Sequence, residues 1–149
     1  MGGVSAAGIR ERFRVNGDPR SETLPIRSSD DIVLVRQHVR TRAIQEGFSL
    51  VDQTKLVTAA SELARNTMTH GGGGSALIET LNHNGRRGLK ITFEDKGPGI
   101  ADIELAMKDG YTSRGGLGLG LSGAKRLSNE FEIASNTGQG TRVSIVRWK

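Results

Sequence analysis

The 149-residue sequence contains no cysteine, which excludes disulfide bonds, zinc sites with thiolate ligands and cysteine nucleophiles. Aromatic residues make up only 4% of it and no dense run of lysine and arginine is present, so nucleic-acid binding is not expected. The sequence has no run of about 18 apolar residues, so no membrane-spanning helix is predicted. The first residues also lack the charged and then apolar order of a signal peptide, and we therefore expect a cytoplasmic protein.

The composition is that of a soluble globular domain, with 35% hydrophobic and 25% charged residues. We interpret residues 1–20 as a flexible N-terminal extension, because they contain glycine, serine and arginine with little periodicity. Residues 21–149 are long enough to bury a single core. The net charge of +5 fits either a solvated surface or a basic face for nucleotide phosphates or an acidic protein partner.

Apolar periodicity and turn residues predict helices that precede most of the strands. The first predicted helix has candidate N-caps at 28–30 and ends at 46, and the second has its N-cap at Asp52 and ends at about 69. A short third helix is predicted over 102–109, and a fourth is opened by residues 115–120 and ends at about 129. The predicted strands cover 21–26, 76–81, 89–94, 131–135 and 141–148, with a hairpin turn at Asn84-Gly85. This order predicts an α+β fold, a two-layer α/β sandwich in which helices cover one face of a mixed sheet.

A glycine-containing turn begins at Asp95, where the predicted strand 89–94 ends. In Asp95-x-Gly97-x-Gly99 the glycines would let the backbone turn tightly and approach a planar ligand. The aspartate could accept a hydrogen bond from an exocyclic amine such as that of adenine. The alternative interpretation is an ordinary loop with no ligand.

A second glycine motif, Gly116-x-Gly118-x-Gly120, opens a predicted helix. Free backbone N–H groups at such a position can bind phosphates. The motif is neither a P-loop, because no Gly-Lys-Ser/Thr follows, nor the dinucleotide-binding fingerprint, whose spacing differs.

Glu62 and Asn66 lie four residues apart in a predicted helix and therefore project from one face. The Asn66 amide oxygen is a hard ligand suited to Mg²⁺ that already carries triphosphate oxygens. Glu62 could orient or deprotonate a hydroxyl nucleophile. Alternatively, the two are an exposed glutamate and a mid-helix asparagine without a function.

The three motifs occur in an order that resembles the N, G1 and G2 boxes of the GHKL ATPase/kinase superfamily, with Gly140-Thr141 similar to its final adenine-side box. The resemblance covers residues 21–149 as an HATPase_c-like kinase domain. Within the superfamily the chain resembles the small anti-sigma-factor-type serine/threonine kinases, especially the switch kinases of bacterial stressosomes. The resemblance implies the Bergerat α/β sandwich fold and the cofactors ATP and Mg²⁺.

The resemblance also implies a role for each matching residue. Glu62 would be the catalytic base and Asn66 the Mg²⁺ ligand, and Asp95 would bind the adenine amino group. Gly97 and Gly99 would shape the pocket floor, and the phosphates would be lined by Gly116, Gly118 and Gly120. Thr141 would contact the adenine, and Arg114 would contact the γ-phosphate. For Arg114 a solvated surface residue is the alternative.

The function implied is phosphoryl transfer to a STAS-domain antagonist protein in a partner-switching stress response. After release the kinase would bind and activate a PP2C-type phosphatase. Two alternatives are a kinase that sequesters a sigma factor and a module that binds ATP without turnover. A detached histidine-kinase domain is disfavoured because no helix pair bearing an acceptor histidine is predicted. No oligomeric state follows from the sequence.

Overall fold

The structure, a computed structural model, describes residues 21–108 and 120–149. The predicted extension at 1–20 and the glycine-rich stretch before Gly120 lie outside these residues. The elements in chain order are β1 (Glu22–Ile26), α1 (Ser29–Gln45), α2 (Leu50–Thr69), β2 (Gly74–His83), β3 (Arg86–Asp95), α3 (Ile103–Ala106), α4 (Gly120–Arg126), β4 (Glu130–Asn136) and β5 (Gly140–Trp148). No helix within 21–108 or 120–149 is long and apolar enough to cross a bilayer.

The strands form one five-stranded sheet in the order β1-β2-β3-β5-β4. Every neighbouring pair is antiparallel, so the prediction of a mixed sheet is wrong, whereas the predicted α+β sandwich is confirmed. Two pairs are hairpins, which are antiparallel by construction. Strands β1 and β2 are also antiparallel, although two helices separate them in the chain.

Helix α1 forms where the sequence predicts it. The Ser28 side chain accepts a hydrogen bond from the Asp31 N–H, and acidic residues occupy the first turn. Its predicted stripe is buried, consisting of Ile32, Val35, Val39 and Ala43. Gly47, with φ +83°, follows the C-terminal cap, a position that favours glycine.

Helix α2 begins earlier than predicted. Its N-cap is Ser49, whose Oγ accepts a hydrogen bond from the Asp52 N–H at 3.1 Å. Asp52 lies inside the first turn, where the helix dipole favours a carboxylate. The predicted cap at Asp52 is therefore wrong, and its side chain instead accepts a hydrogen bond from Arg147 at the end of β5.

The core lies between the helices and one face of the sheet. Its largest fully buried apolar side chains come from β1, α2, β2, β3 and β5: Phe93, Ile26, Leu56, Leu63, Ile78, Leu89, Ile91 and Ile145. The hairpin turn at Asn84-Gly85 is confirmed, with φ of 54° and 83°. Both values are positive, as a tight two-residue hairpin requires. Helix α3 has four residues, fewer than predicted.

Candidate active site

A cavity of about 370 Å³ opens beside α2 and the ends of β3 and β5. This volume is within the range of small-molecule sites. The surface that lines the cavity is mostly apolar and includes a few polar groups. The lining residues are Leu63, Asn66, Thr67, His70, Phe93, Asp95, Pro98, Gly99, Ile100, Ala101, Asp102, Leu105, Ala106, Gly120, Leu121, Thr141 and Val143. The fold thus brings together residues that are distant in the sequence.

Five of the predicted site residues line this cavity: Asn66, Asp95, Gly99, Gly120 and Thr141. Glu62 and Gly97 are not among the lining residues but lie next to ones that are. Arg114, Gly116 and Gly118 lie outside the described residues, so their predicted roles stay predictions.

Asp95 is held in place at the end of β3. Its Oδ1 accepts a hydrogen bond from the Gly97 N–H at 2.9 Å. Because a carboxylate has lone pairs on both oxygens, Oδ2 can accept a hydrogen bond from a ligand in the cavity. The Asp95 side chain is half-buried, so such a bond would form with limited competition from water.

Gly71 is a site residue that the sequence reasoning did not identify. A Cβ on Gly71 would overlap the Asp95 carboxyl group, and a Cβ on Gly97 would come within 2.7 Å of the Gly71 backbone. The two glycines therefore allow the end of α2 and the loop after β3 to touch. The sequence did contain a signal, because the run Gly71 to Gly74 has more glycines than a helix C-terminus needs.

Two more glycines fit the turns beside Asp95. Gly99 has φ +79°, and a Cβ there would overlap the Asn136 carbonyl. Gly140 has φ +107°, and a Cβ there would overlap the Asp95 carbonyl. Only glycine combines these backbone angles with such close approach, so the loop after β3 and the start of β5 form one compact wall.

Thr141 lies directly opposite Asp95 in the pairing of β3 with β5. Its Oγ1 is 2.8 Å from the Oγ of Ser135, which lies opposite Thr141 on β4. The Ser135 Oγ also accepts a hydrogen bond from the Ile100 N–H at 2.7 Å. Ser135 is a second residue that the sequence reasoning missed, because only the strand register places it here.

Glu62 is 1% exposed, although it is a charged residue type. Neither of its carboxylate oxygens has a hydrogen-bond partner among residues 21–108 and 120–149. A buried polar group without a partner costs about 1–3 kcal/mol, so its presence in a native fold needs an explanation, and a catalytic role is one such explanation. It lies one helical turn before Asn66, which faces the cavity.

Several known proteins are similar to this chain. Residues 51–149 match the family model of the histidine kinase-, DNA gyrase B-, and HSP90-like ATPases. The chain is 48% identical over 118 residues to the serine/threonine-protein kinase RsbT of Bacillus subtilis, covering 79% of this chain and 89% of that protein. It is 35% identical over 96 residues to the anti-sigma F factor of Thermoanaerobacter sp., covering 61% and 66% of the two chains.

Two solved structures share the fold. One contains the RsbU and RsbW domains of a Mycobacterium tuberculosis protein, with a TM-score of 0.61 at 18% identity, and the match covers 87% of this chain and 33% of that one. The other is the SiaB–SiaC complex of Pseudomonas aeruginosa, with a TM-score of 0.56 at 14% identity over 97% and 98% of the two chains. At these identities the likeness concerns the fold alone.

Proposed function

Because the chain belongs to the family of histidine kinase-, DNA gyrase B- and HSP90-like ATPases, and within it to the serine/threonine protein kinases of the RsbT type, we propose that it phosphorylates a STAS-domain antagonist protein. The superfamily and enzyme class predicted from the motifs are thereby confirmed. The observation that carries the proposal is that one cavity contains Asn66, Asp95 and Thr141, in a chain 48% identical to such a kinase.

The cavity fits the adenine of ATP. Asp95 Oδ2 would accept a hydrogen bond from the adenine amino group, while Oδ1 stays bonded to the Gly97 N–H. Apolar side chains of Leu63, Phe93 and Val143 line the same space and suit a flat aromatic base. The phosphates would follow toward Gly120 and the glycines before it.

Mg²⁺ would be held by the side-chain oxygen of Asn66 together with oxygens of the triphosphate. Its chemistry is to neutralise charge that develops on the phosphate oxygens. Asn66 suits this role because its neutral amide, on the cavity-facing side of α2, adds no negative charge beside the phosphates.

Glu62 would act on the acceptor hydroxyl. The hydroxyl proton passes to a Glu62 carboxylate oxygen, the hydroxyl oxygen forms a bond to the γ-phosphorus, and the bond from that phosphorus to ADP breaks. The missing hydrogen-bond partners of Glu62 support this role, because its oxygens have acceptor capacity left for a substrate proton. Most of the rate enhancement would still come from positioning and charge neutralisation.

Phosphorylation would also operate a switch between partners. A dianion on the docked surface of the STAS-domain protein would weaken its complex with the kinase. The released kinase would then bind and activate a PP2C-type phosphatase. Sequestration of a sigma factor is the alternative, supported by the similarity to anti-sigma F factors, but the 35% identity to the one from Thermoanaerobacter sp. is lower than the 48% to RsbT.

The proposal is tested by transfer of labelled phosphate from ATP to a candidate STAS-domain protein. We expect Glu62→Gln to lower the transfer rate by about 10²- to 10⁴-fold and to leave ATP affinity within about threefold. Glu132→Gln, at an exposed position on β4, is the matched control and should transfer at the wild-type rate.

Three outcomes would contradict the proposal in different ways. An unchanged rate in Glu62→Gln would show that Glu62 is not the base. Tight ATP binding without transfer to any candidate would indicate a binding module. Acid-labile label on a partner histidine would indicate a histidine kinase domain.

A further inference from the structure

We propose that Ser135 is a positioning residue for base recognition, whose hydroxyl makes Thr141 a hydrogen-bond donor to the adenine ring nitrogen N1. The inference rests on the proposed function, since it assumes that Asp95 binds the adenine amino group. It assigns a role to a residue that does not line the cavity and that the sequence motifs do not include.

The strand register places three polar residues in one row. Asp95 on β3 is paired with Thr141 on β5, and Thr141 is paired with Ser135 on β4. Directly opposed residues of antiparallel strands point to the same face of a sheet. The row lies on the face covered by helices, because Phe93 and Val143, two residues away on the same strands, are buried in the core.

The Ser135 hydroxyl has one hydrogen to donate and two possible acceptors for it. Its oxygen already accepts from the Ile100 N–H at 2.7 Å. Its hydrogen can go to the Gly140 carbonyl at 3.2 Å or to Thr141 Oγ1 at 2.8 Å. When Ser135 donates to Gly140, Thr141 donates to Ser135; when Ser135 donates to Thr141, the Thr141 hydrogen is released toward another acceptor.

Adenine supplies that acceptor. On its hydrogen-bonding edge the amino group, a donor, is adjacent to N1, an acceptor. A base whose amino group donates to Asp95 therefore presents N1 to the next residue of the row, which is Thr141. Thr141 must then donate to N1, and the Ser135 hydrogen turns to Thr141 Oγ1. A hydroxyl that accepts one hydrogen bond while donating another is a stronger and better oriented donor.

The contribution of Ser135 should therefore depend on N1 of the base. We would measure by calorimetry the Kd of wild type and Ser135→Ala for three nucleotides: ATP, 1-deaza-ATP, which lacks N1, and purine riboside triphosphate, which lacks the amino group. We expect Ser135→Ala to bind ATP roughly three- to tenfold more weakly, the effect of losing one hydrogen bond.

The three nucleotides separate positioning from a general structural effect. The loss should recur with purine riboside triphosphate, which retains N1, and should shrink below about twofold with 1-deaza-ATP. An equal loss with all three nucleotides, or no loss with any, overturns the inference. Wild-type protein that binds no ATP would instead refute the proposed function.

Two further variants keep the test decisive if Ser135→Ala does not fold. Ser135→Cys leaves only a weak S–H donor and should show the same dependence on N1. Thr141→Val removes the hydroxyl through which Ser135 acts, so adding Ser135→Ala to it should weaken ATP binding by less than about twofold. A full additional loss in the double variant would show that Ser135 acts independently of Thr141.

Discussion

The backbone of Gly71 lies directly against the carboxyl group of Asp95. A Cβ on Gly71 would overlap the Asp95 Cγ and would lie 2.5 Å from its Cβ and Oδ2. Gly71 comes just after α2, whereas Asp95 ends β3, so this contact fixes the distance between the helix that bears Asn66 and the strand that bears the proposed adenine contact. The position of Asp95 therefore depends on a residue without a side chain.

Gly71→Ala should weaken ATP binding by about tenfold or more. Gly71 does not have a positive φ, so alanine causes no backbone strain there and acts only by displacing Asp95. The displaced carboxylate loses a charge-assisted hydrogen bond. Calorimetry with ATP measures the effect, and Gly72→Asn is the matched control.

The control changes the neighbouring residue without a collision. A Cβ on Gly72 meets nothing within 4 Å, and asparagine tolerates its φ of +76° better than most residues do. Equal ATP affinities of Gly71→Ala and wild type would show that the contact does not set the Asp95 position.

Asp95→Asn should weaken ATP binding by about 10- to 100-fold while the fold is retained. The asparagine oxygen can still accept from the Gly97 N–H, but its NH₂ group then faces the adenine amino group, and two donors cannot bond. Asp102→Asn is the control, because Asp102 also lines the cavity.

The Asp102 control separates a specific contact from loss of negative charge. Asp102 caps α3 by accepting from the Leu105 N–H at 3.0 Å, a role that asparagine also fills. The Asp102→Asn variant should therefore have a Kd for ATP within about threefold of the wild-type value. If both variants lose affinity equally, Asp95 is not a specific adenine contact.

Local features of the sequence were sufficient for much of this fold. The α1 stripe, the Asn84-Gly85 turn and the strand ending at Asp95 each depend on residues close together in the chain, and all three are confirmed. Apolar period and turn chemistry act over a few residues, so they can be read without tertiary information.

Features set by strand register could not be predicted. Ser135 is in the site only because β4 pairs with β5 and β5 with β3, and no local pattern encodes that pairing. The prediction of a mixed sheet was wrong for the same reason, because no local pattern encodes the direction in which non-consecutive strands such as β3 and β5 pair. The N-cap of α2 was predicted at the wrong residue because both Ser49 and Asp52 carry side-chain oxygens suited to capping. In the structure Ser49 is the cap, and the Asp52 carboxylate accepts a hydrogen bond from Arg147.

The ion pair of Asp52 and Arg147 should make stability depend on pH. The Nη2–Oδ1 distance is 2.8 Å, and the hydrogen bond from Arg147 holds the pKa of Asp52 below its ordinary value of 3.8 despite partial desolvation. A lowered pKa means that the stabilisation is complete above the unfolded-state value and is lost as the pH falls through the folded-state value.

Asp52→Asn should therefore lower the free energy of unfolding by about 0.5–1 kcal/mol at pH 7 and by progressively less below about pH 4. Urea unfolding of both proteins between pH 7 and pH 2.5 measures the difference. Glu132→Gln, at an exposed site, is the control. A wild-type advantage that stays constant down to pH 2.5 would show that the stabilisation does not come from the charged carboxylate.

Asn66→Ala should remove the effect of Mg²⁺ on ATP binding without removing the binding itself. The amide oxygen is the proposed metal ligand, and alanine is a good helix former, so α2 should stay intact. We expect the ATP affinity in EDTA to stay within about twofold of wild type, the gain on adding Mg²⁺ to fall by at least about tenfold, and transfer to fall with it. Thr69→Ala, an exposed residue of the same turn whose hydroxyl donates to the Arg65 carbonyl, should keep the wild-type response to Mg²⁺. A normal response to Mg²⁺ in Asn66→Ala would place the metal ligand elsewhere, since the remaining groups would then bind the ion without the Asn66 amide.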